Sequence, residues 1–243
     1  MTDFIAPAEC CWPFDTPQSA TQLALAPFDS SLFDDAAFGR HGVSLPAALA
    51  RAVAKRRAEY LAGRLCARAA LAALDAAPGA LESLPDRRVD WPPGYCGAIT
   101  HSRSLAGALV APGSEYCALG LDAEQWLGAE RARYLAPSIL HREELEALTG
   151  LSPDAFARAV TLVFSLKESL YKALYPLTGV RFYFHDARVI DLDPLALPGR
   201  CRLALCSALN ADWPAGSEVA GDFCDARQQA LTAVMVAATP AQK

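Results

Sequence analysis

Lysine, histidine and closely paired cysteines are scarce in this sequence. Its 243 residues include four histidines and only four lysines, at positions 55, 167, 172 and 243. The formal net charge is −5, whereas proteins that bind nucleic acids need a basic face to displace the counterions of the phosphates. We therefore expect no nucleic-acid partner, although a local basic pocket for a small phosphorylated ligand is compatible with this composition.

Several sequence features of metal-bound, exported or membrane-spanning proteins are also missing. The eight cysteines include no C-x-x-C pair, so we expect small buried side chains rather than zinc ligands. No apolar run is long enough to span a bilayer, and the first residues lack the basic and apolar regions of a signal peptide. These absences predict a cytoplasmic protein without a membrane span, in which the thiols stay reduced.

Two common catalytic signatures are absent as well. Without a G-x-x-x-x-G-K-[ST] loop, the P-loop class of nucleotide enzymes is disfavoured. Ser102 follows His101, but the G-x-S-x-G elbow is missing, and adjacent residues rarely form a nucleophile–base pair. A serine hydrolase is therefore not expected.

The periodicity of apolar residues indicates two similar halves that each combine a long helix with strands. Leucines and a valine at near-helical spacing predict a helix over residues 46–74, with many arginines on its other side. Two strands around a turn are expected within 94–110, a buried strand over 117–123, and a closing buried strand with the sequence LTAVMVAA. Two further helices are predicted over 128–149 and 153–175. The fold class is therefore α/β (α+β).

The segment LGLDAE, residues 119–124, places two carboxylates next to each other. Because side chains alternate along a strand, the two leucines point into the core, and Gly120, Asp122 and Glu124 share the opposite face. The glycine would leave room for a ligand. Two adjacent carboxylates repel unless a cation or proton separates them, and magnesium binds carboxylates together with phosphate oxygens. A solvated acidic turn at the strand end accounts for the same residues, so both interpretations stay open here.

The segment FSLKESLYK, residues 164–172, lies inside a predicted helix. Glu168 and Lys172 are one turn apart and share a face. An exposed pair of this kind is common and stabilises a helix by only about 0.3–0.5 kcal/mol. Two of the chain's four lysines fall in this segment, and lysine is typical of sites that need a compact, deprotonatable charge.

The segment GAITHS, residues 97–102, carries Thr100, His101 and Ser102 after an apolar strand. We expect these three side chains to fall together in a turn, where their donors can bind a phosphate. A polar turn with a locally satisfied histidine is equally compatible with this segment.

The order of these segments resembles the Sfp-type phosphopantetheinyl transferases. GAITHS comes first, then LGLDAE, then FSLKESLYK. The upstream stretches KRRAEYLAGRLCARAAL and RRVDWPPGYCGAITHS resemble the branch that contains enterobactin synthetase component D. Each motif is short, but the ordered set across residues 51–185 is specific, because the chance probabilities of independent matches multiply.

The resemblance implies roles for individual residues. Asp122, Glu124 and Glu168 match the three acidic magnesium ligands, and Glu168 also matches the residue that activates the acceptor serine. Lys172 matches the lysine that contacts phosphate and assists the leaving group. The remaining matches are to residues that lie near coenzyme A, namely Lys55, Arg56 and Arg64 on the basic helix, Arg87, and the pair Thr100 and His101.

Three positions qualify this correspondence. Phe164 stands where the family often has tryptophan. Val89 stands where the family has a proline, which leaves the assignment open between Arg87 and Arg88. Some relatives have no carboxylate at the position of Glu124, so its role as a ligand is less firmly implied than that of Asp122.

The resemblance also implies an architecture and a reaction. The expected fold is a pseudo-dimer of two α/β halves, residues 1–112 and 113–243, with the active site in the cleft between them. Magnesium, for which manganese can substitute, would assist transfer of 4′-phosphopantetheine from coenzyme A to a serine of an acyl or peptidyl carrier protein. The products would be the holo carrier and adenosine 3′,5′-bisphosphate. We expect a cytoplasmic monomer; whether it serves fatty-acid, polyketide or siderophore (enterobactin) synthesis is not fixed by the sequence.

Two alternatives of other classes remain at this point. One is a non-catalytic module that binds coenzyme A or carrier proteins, although binding alone would not need three carboxylates. The other is a different magnesium-dependent enzyme that acts on nucleotides, which the missing P-loop disfavours.

Overall fold

The computed structural model describes residues 3–77, 79, 81–86 and 88–239. The chain divides into two compact units. Unit 1 comprises Ser19–Glu115 with the described residues before Pro13, and unit 2 comprises Pro13–Gln18 with the chain from Tyr116 onward. Each unit packs a long helix on an antiparallel sheet, so the predicted mixed α/β fold is confirmed.

Unit 1 contains a four-stranded antiparallel sheet in the order β1-β2-β4-β3. Its long helix lies on β4 and β2 and meets them with alanines that are fully buried, such as Ala58, Ala62 and Ala70. Side chains this small let the helix approach the sheet closely. The elements are β1 (Glu9–Cys10), β2 (Gln22–Pro27), α1 (Ala36–Arg40), α2 (Ala54–Ala72), β3 (Tyr95–His101) and β4 (Leu105–Pro112).

The start of α2 differs from the prediction, which placed one helix over 46–74. Residues Ala47–Leu49 form a short 3-10 turn, and α2 begins at Ala54 after Val53 in an extended conformation, with φ −63° and ψ 152°. Alanine-rich sequence favours a helix throughout this stretch. Val53 is 71% exposed, and no packing contact of its side chain accounts for the break.

Unit 2 contains a five-stranded antiparallel sheet in the order β5-β9-β8-β7-β6. The predicted strands over 117–123 and at LTAVMVAA are confirmed as the adjacent strands β5 and β9. The long helix α5 packs on both. The elements are β5 (Tyr116–Gln125), α3 (Ala129–Ile139), α4 (Arg142–Ala147), α5 (Pro153–Thr178), β6 (Ala187–Ile190), β7 (Gly199–Leu205), β8 (Glu218–Ala226) and β9 (Gln229–Ala237).

Helix α5 has clear signals at both ends. The Ser152 side chain accepts a hydrogen bond from the backbone N–H of Ala155, 3.3 Å away, and Pro153 occupies the first helical position. At the other end, Gly179 adopts the left-handed conformation with φ 67° and donates its N–H to Tyr175 O, as helix C-caps commonly do. The helix predicted over 153–175 is therefore confirmed and is slightly longer.

The single helix predicted over 128–149 is wrong, because two helices occupy this stretch. Helix α3 ends at Ile139 and α4 starts at Arg142, with His141 extended between them. The His141 N–H donates to Glu144 Oε2 at 2.6 Å, which caps α4. The side chain of Glu144 thus stabilises a helix start that apolar periodicity does not reveal.

Glu144 also forms a buried ion pair with the helix that carries FSLKESLYK. Lys167 Nζ donates to Glu144 Oε2 at 2.6 Å and to Ile139 O at 2.9 Å. Glu144 Oε1 accepts from Val189 N at 2.6 Å. The two charged side chains are only 2% and 4% exposed. This pair therefore joins α3, α4, α5 and β6 through hydrogen bonds that satisfy both charges.

Lys167→Met is expected to lower the free energy of unfolding by about 3–5 kcal/mol, because it leaves the Glu144 carboxylate buried without its counter-charge. Urea unfolding followed by circular dichroism measures this change. The control is Arg142→Ala, which removes the exposed pair with Glu146 (82% and 65% exposed) and should change stability by less than about 0.5 kcal/mol. Similar small losses in both variants would contradict the importance of the buried pair.

Among the described residues, which include all eight cysteines, no disulfide is formed, and the cysteines do not all lie in the core. Burial raises the pKa of Cys66 and of Cys201 to about 12, and Cys224 is buried too. The expectation of buried side chains is wrong for the exposed Cys10, Cys11, Cys117 and Cys206. Separately, none of the helices in the described part of the chain is long and apolar enough to cross a membrane.

Candidate active site

Gly120 sets the distance between β5 and α5 in unit 2. A Cβ atom at Gly120 would lie 1.7 Å from Ser169 O and 3.1 Å from Ala173 N, both backbone atoms of α5. The space above Gly120 is thus occupied by the helix, and the expectation that it leaves room for a ligand is wrong. This close contact brings the carboxylate face of β5 against the helix that carries Glu168 and Lys172.

Asp122 is the buried centre of this contact, at 5% exposure. Its Oδ1 accepts from Lys172 Nζ at 2.7 Å, and its Oδ2 accepts from the Ser165 hydroxyl at 2.8 Å. Lys172 Nζ also donates to Leu121 O at 2.9 Å. Within the part of the chain that the structure describes, Lys172 pairs with Asp122 and not with Glu168, contrary to the helical i, i+4 spacing.

Buried hydroxyl groups extend from Asp122 across the sheet. Ser165 Oγ lies 2.9 Å from Thr232 Oγ1, which lies 2.7 Å from Ser169 Oγ. An ionised carboxylate can only accept, so Ser165 donates to Asp122 and must in turn accept from Thr232. All three hydroxyl residues have exposures of 0%. The network therefore holds the Asp122 carboxylate in one orientation without leaving a buried donor unpaired.

The charge of Asp122 affects the protonation of Glu124 and Glu168, the other two acidic residues of the cluster. Burial, the charge of Asp122 and, to a smaller extent, the charge of Glu168 together raise the pKa of Glu124 to about 7, against an opposing attraction from Lys172. Burial and then Asp122 also raise the pKa of Glu168, against a smaller attraction from Lys172. Lys172 lowers the pKa of Glu168 less than burial and Asp122 raise it, and its ammonium group bonds Asp122 instead.

The raised pKa of Glu124 predicts that stability falls as pH rises from about 4.5 to about 7. In this window the folded protein binds more protons than the unfolded chain, which carries Glu124 near its ordinary pKa, so raising the pH favours unfolding. Thermal melts of metal-free protein between pH 5 and 8 should show this slope, and Glu124→Gln should reduce it. Glu146→Gln, at an exposed glutamate of α4, should keep it; an unchanged slope in Glu124→Gln would contradict the shift.

The cluster fits a magnesium ion by the chemistry of its donors. Three carboxylates offer hard oxygen ligands, and their mutual repulsion is what a divalent cation relieves. Among the described residues, no group of three or more His, Cys, Asp or Glu side chains is already arranged around one point. Glu124 and Glu168 are partly exposed, so their flexible side chains are the ones that would have to move toward Asp122 to complete a site.

A second cluster lies in unit 1, between α2 and β3. Arg56 Nη1 lies 2.9 Å from His101 Nε2. Glu59, which is 9% exposed, lies 3.5 Å from Arg56 Nη1, 3.9 Å from His101 Nδ1 and 3.9 Å from Lys55 Nζ. Three of the residues predicted to lie near coenzyme A are thus gathered around one buried carboxylate that the sequence did not single out.

Two further described residues were predicted to lie near coenzyme A, namely Thr100 and Arg64. Thr100 and His101 both belong to β3, so their side chains point to opposite faces of the sheet, and the expectation that they share a turn is wrong. The buried guanidinium of Arg64 donates to Leu81 O at 2.6 Å and to Ser83 Oγ at 2.9 Å. Arg87 lies outside the described residues. Arg88 pairs with Asp86 at 2.5 Å.

Two family models match the chain in sequence. The 4′-phosphopantetheinyl transferase N-terminal domain matches residues 45–111, and the 4′-phosphopantetheinyl transferase superfamily matches residues 118–228. The first match contains the Glu59 cluster, and the second contains Asp122, Glu168 and Lys172. The chain belongs to the 4′-phosphopantetheinyl transferase superfamily.

Individual phosphopantetheinyl transferases are similar to this chain over part of their length. The transferase Svp of Streptomyces mobaraensis is 42% identical over 151 residues, which are 60% of this chain and 58% of Svp. Enterobactin synthase component D of Salmonella typhi is 37% identical over 66% of this chain and 65% of its own. PptT of Mycobacterium tuberculosis is 32% identical over 63% and 66%. The chain thus spans less than two thirds of these relatives.

The structure adds site residues that the motifs alone did not reveal in this member of the superfamily. Glu59 follows Lys55 by four positions and Arg56 by three, a spacing that places it beside both on α2. Ser165 stands one turn before Ser169 and next to Phe164. These spacings could have suggested the contacts within each helix. The partners on other strands, Thr232 and His101, depend on long-range pairing.

Proposed function

We propose that this chain transfers 4′-phosphopantetheine from coenzyme A to a serine of an apo acyl or peptidyl carrier protein. The products are the holo carrier and adenosine 3′,5′-bisphosphate. Membership of the superfamily supports the reaction class. The observation that carries the proposal is the pairing of Asp122 on β5 with Lys172 on α5, at 2.7 Å, beside Glu168. This pairing brings the Asp122 carboxylate and the Lys172 ammonium together in a partly buried site beside Glu168, which is the candidate base.

The reaction requires a base, and Glu168 is the proposed one. The serine Oγ forms a bond to the β-phosphorus of coenzyme A, while the bond from that phosphorus to the bridging oxygen breaks. The serine proton passes to Glu168, and the electron pair of the broken bond leaves with adenosine 3′,5′-bisphosphate. Because burial raises the pKa of Glu168, it is a stronger base than an exposed carboxylate.

Lys172 has the proposed role of neutralising the leaving group. Its ammonium is held by Asp122 and Leu121 O, and its side chain is 29% exposed, so a phosphate oxygen can reach it. A fixed positive charge of this kind stabilises a transition state without reorganisation. Asp122, Glu124 and Glu168 would hold magnesium, or manganese in its place, which supplies charge neutralisation for the pyrophosphate.

Coenzyme A and the carrier protein are the proposed partners. Lys55, Arg56 and His101 form the basic cluster that would receive the phosphates of the nucleotide part, and Thr100 and Arg87 remain predictions from the resemblance. Arg64 is proposed to fix the segment at Leu81 and Ser83, to which it donates hydrogen bonds.

A cytoplasmic location, a monomeric state and a role in fatty-acid or enterobactin synthesis are likewise predictions carried from the resemblance.

Nucleotide release tests the proposal against a module that only binds coenzyme A. The protein would be incubated with coenzyme A, magnesium and an apo carrier, and adenosine 3′,5′-bisphosphate would be quantified by ion-exchange chromatography. We expect release that needs all four components and stops with EDTA. Coenzyme A binding without release, for several acyl and peptidyl carriers, would support the binding module instead.

A further inference from the structure

Glu59 is a buried acid in the most basic part of the chain. It lies on α2 among Lys55, Arg56 and His101, and its side chain is 11% exposed, whereas those of Lys55 and Arg56 are 62% and 50% exposed. A carboxylate at this place weakens the attraction of the cluster for an anionic ligand. It also costs desolvation, since charged side chains are seldom buried unless they are paired. Its contacts show what offsets these costs.

The contact between Arg56 and His101 determines the state of the histidine. A guanidinium has only donors, so at 2.9 Å from Arg56 Nη1 the Nε2 atom of His101 must be the acceptor. The ring is then neutral and carries its proton on Nδ1, which is the nitrogen that faces Glu59 Oε2 at 3.9 Å. Glu59 therefore lies next to the charged end of Arg56 and the N–H side of His101 at once.

We propose that Glu59 is a positioning residue that holds Arg56 and His101 together as one phosphate-binding pair. The carboxylate accepts from Arg56 Nη1 at 3.5 Å and lies 3.9 Å from His101 Nδ1, and the 50% exposure of the Arg56 side chain leaves its remaining N–H donors accessible to a phosphate. The role of Glu59 rests on the proposed function, in which coenzyme A is the ligand. It extends that function by naming a residue that acts through the ligand-binding groups and does not itself touch the phosphate.

The sign of the effect distinguishes positioning from simple charge. Glu59→Gln keeps the size of the side chain and removes its negative charge. If Glu59 only reduced the positive potential of the cluster, the substitution would strengthen coenzyme A binding. If Glu59 positions Arg56 and His101, the substitution weakens binding, because the ordered pair is lost.

Calorimetric titration of the full chain with coenzyme A tests this role, together with steady-state transfer kinetics. Glu59→Gln should raise the Kd and KM for coenzyme A about tenfold, the effect of losing a charge-assisted contact, with kcat within about twofold of the unmodified protein. Glu9→Gln, an exposed glutamate on β1 of the same unit, is the matched control and should change neither. Thermal melts show whether each variant is folded.

A double-mutant cycle tests whether Glu59 acts through its two neighbours. In the Arg56→Ala/His101→Ala background, Glu59→Gln should change coenzyme A affinity less than about twofold, because the groups it positions are absent. A full tenfold loss in that background, or tighter binding by Glu59→Gln alone, would overturn the positioning role while leaving the transferase proposal intact. If the unmodified protein neither binds coenzyme A nor transfers its arm, the proposed function and this role both fail.

Discussion

Asp122→Asn is expected to lower the rate of phosphopantetheine transfer by more than about 100-fold while the protein stays folded. Loss of an outer partner of a metal ligand already costs about 10–100-fold, and Asp122 is proposed as a ligand itself. Asparagine keeps the shape of the side chain and can still accept the hydrogen bond from Ser165. Transfer would be measured as the mass gain of an apo carrier over time, and manganese affinity by electron paramagnetic resonance.

Asp222 supplies the matched control for this prediction. It is also a buried aspartate of the unit 2 sheet, at 2% exposure. Asp222 lies on β8 and pairs with Arg200 of β7 at 3.6 Å, away from the acidic cluster around Asp122. Asp222→Asn should keep transfer and manganese affinity near those of the unmodified protein. Near-normal transfer by a folded Asp122→Asn protein would contradict the metal and charge assignments made for unit 2.

Gly120→Ala is expected to lower the free energy of unfolding by about 3 kcal/mol or more. Its Cβ would lie 1.7 Å from Ser169 O, and neither the helix backbone nor the central part of β5 can yield without breaking hydrogen bonds. Overpacking of a core typically costs about 1–3 kcal/mol, and contact with rigid backbone places this substitution at or beyond that upper limit. Urea unfolding would measure the loss, and expression as insoluble protein would agree with it.

Gly39→Ala is the control for this substitution. A Cβ at Gly39 meets no atom within 4 Å, and Gly39 lies inside helix α1, where alanine is favoured over glycine. Its stability should therefore stay the same or rise slightly. If Gly120→Ala were as stable as Gly39→Ala, the close packing of α5 on β5 would be wrong, and with it the position of Lys172 beside Asp122.

The strands and long helix around the candidate site could be predicted from sequence because their signals are local. Alternation of apolar residues marks β5, and Ser152, Pro153 and Gly179 mark the ends of α5. The break between α3 and α4 could not be predicted from periodicity, because it depends on Glu144 capping α4 and pairing with Lys167. That pair forms only when distant segments pack together.

The identities of the candidate site residues could be predicted, but their partners could not. The motifs single out Asp122, Glu168 and Lys172. Helical spacing pairs Lys172 with Glu168, whereas packing of α5 over Gly120 brings Asp122 closer to the ammonium. Sequence adjacency likewise groups Thr100 with His101, whereas strand geometry separates them and leaves His101 with Arg56 and Glu59 from α2. In both cases the contacts made in the folded structure, and not the spacing in the sequence, determine which side chains pair with each other.

Intact-protein mass spectrometry of an apo carrier tests the central claim most directly. The carrier would be incubated with this protein, coenzyme A and magnesium, alongside samples with EDTA and a carrier whose acceptor serine is replaced by alanine. We predict that the carrier gains the mass of one phosphopantetheine arm only when the metal and the serine are both present. No mass gain with several acyl and peptidyl carriers, by protein that binds coenzyme A, would contradict the proposed transferase activity.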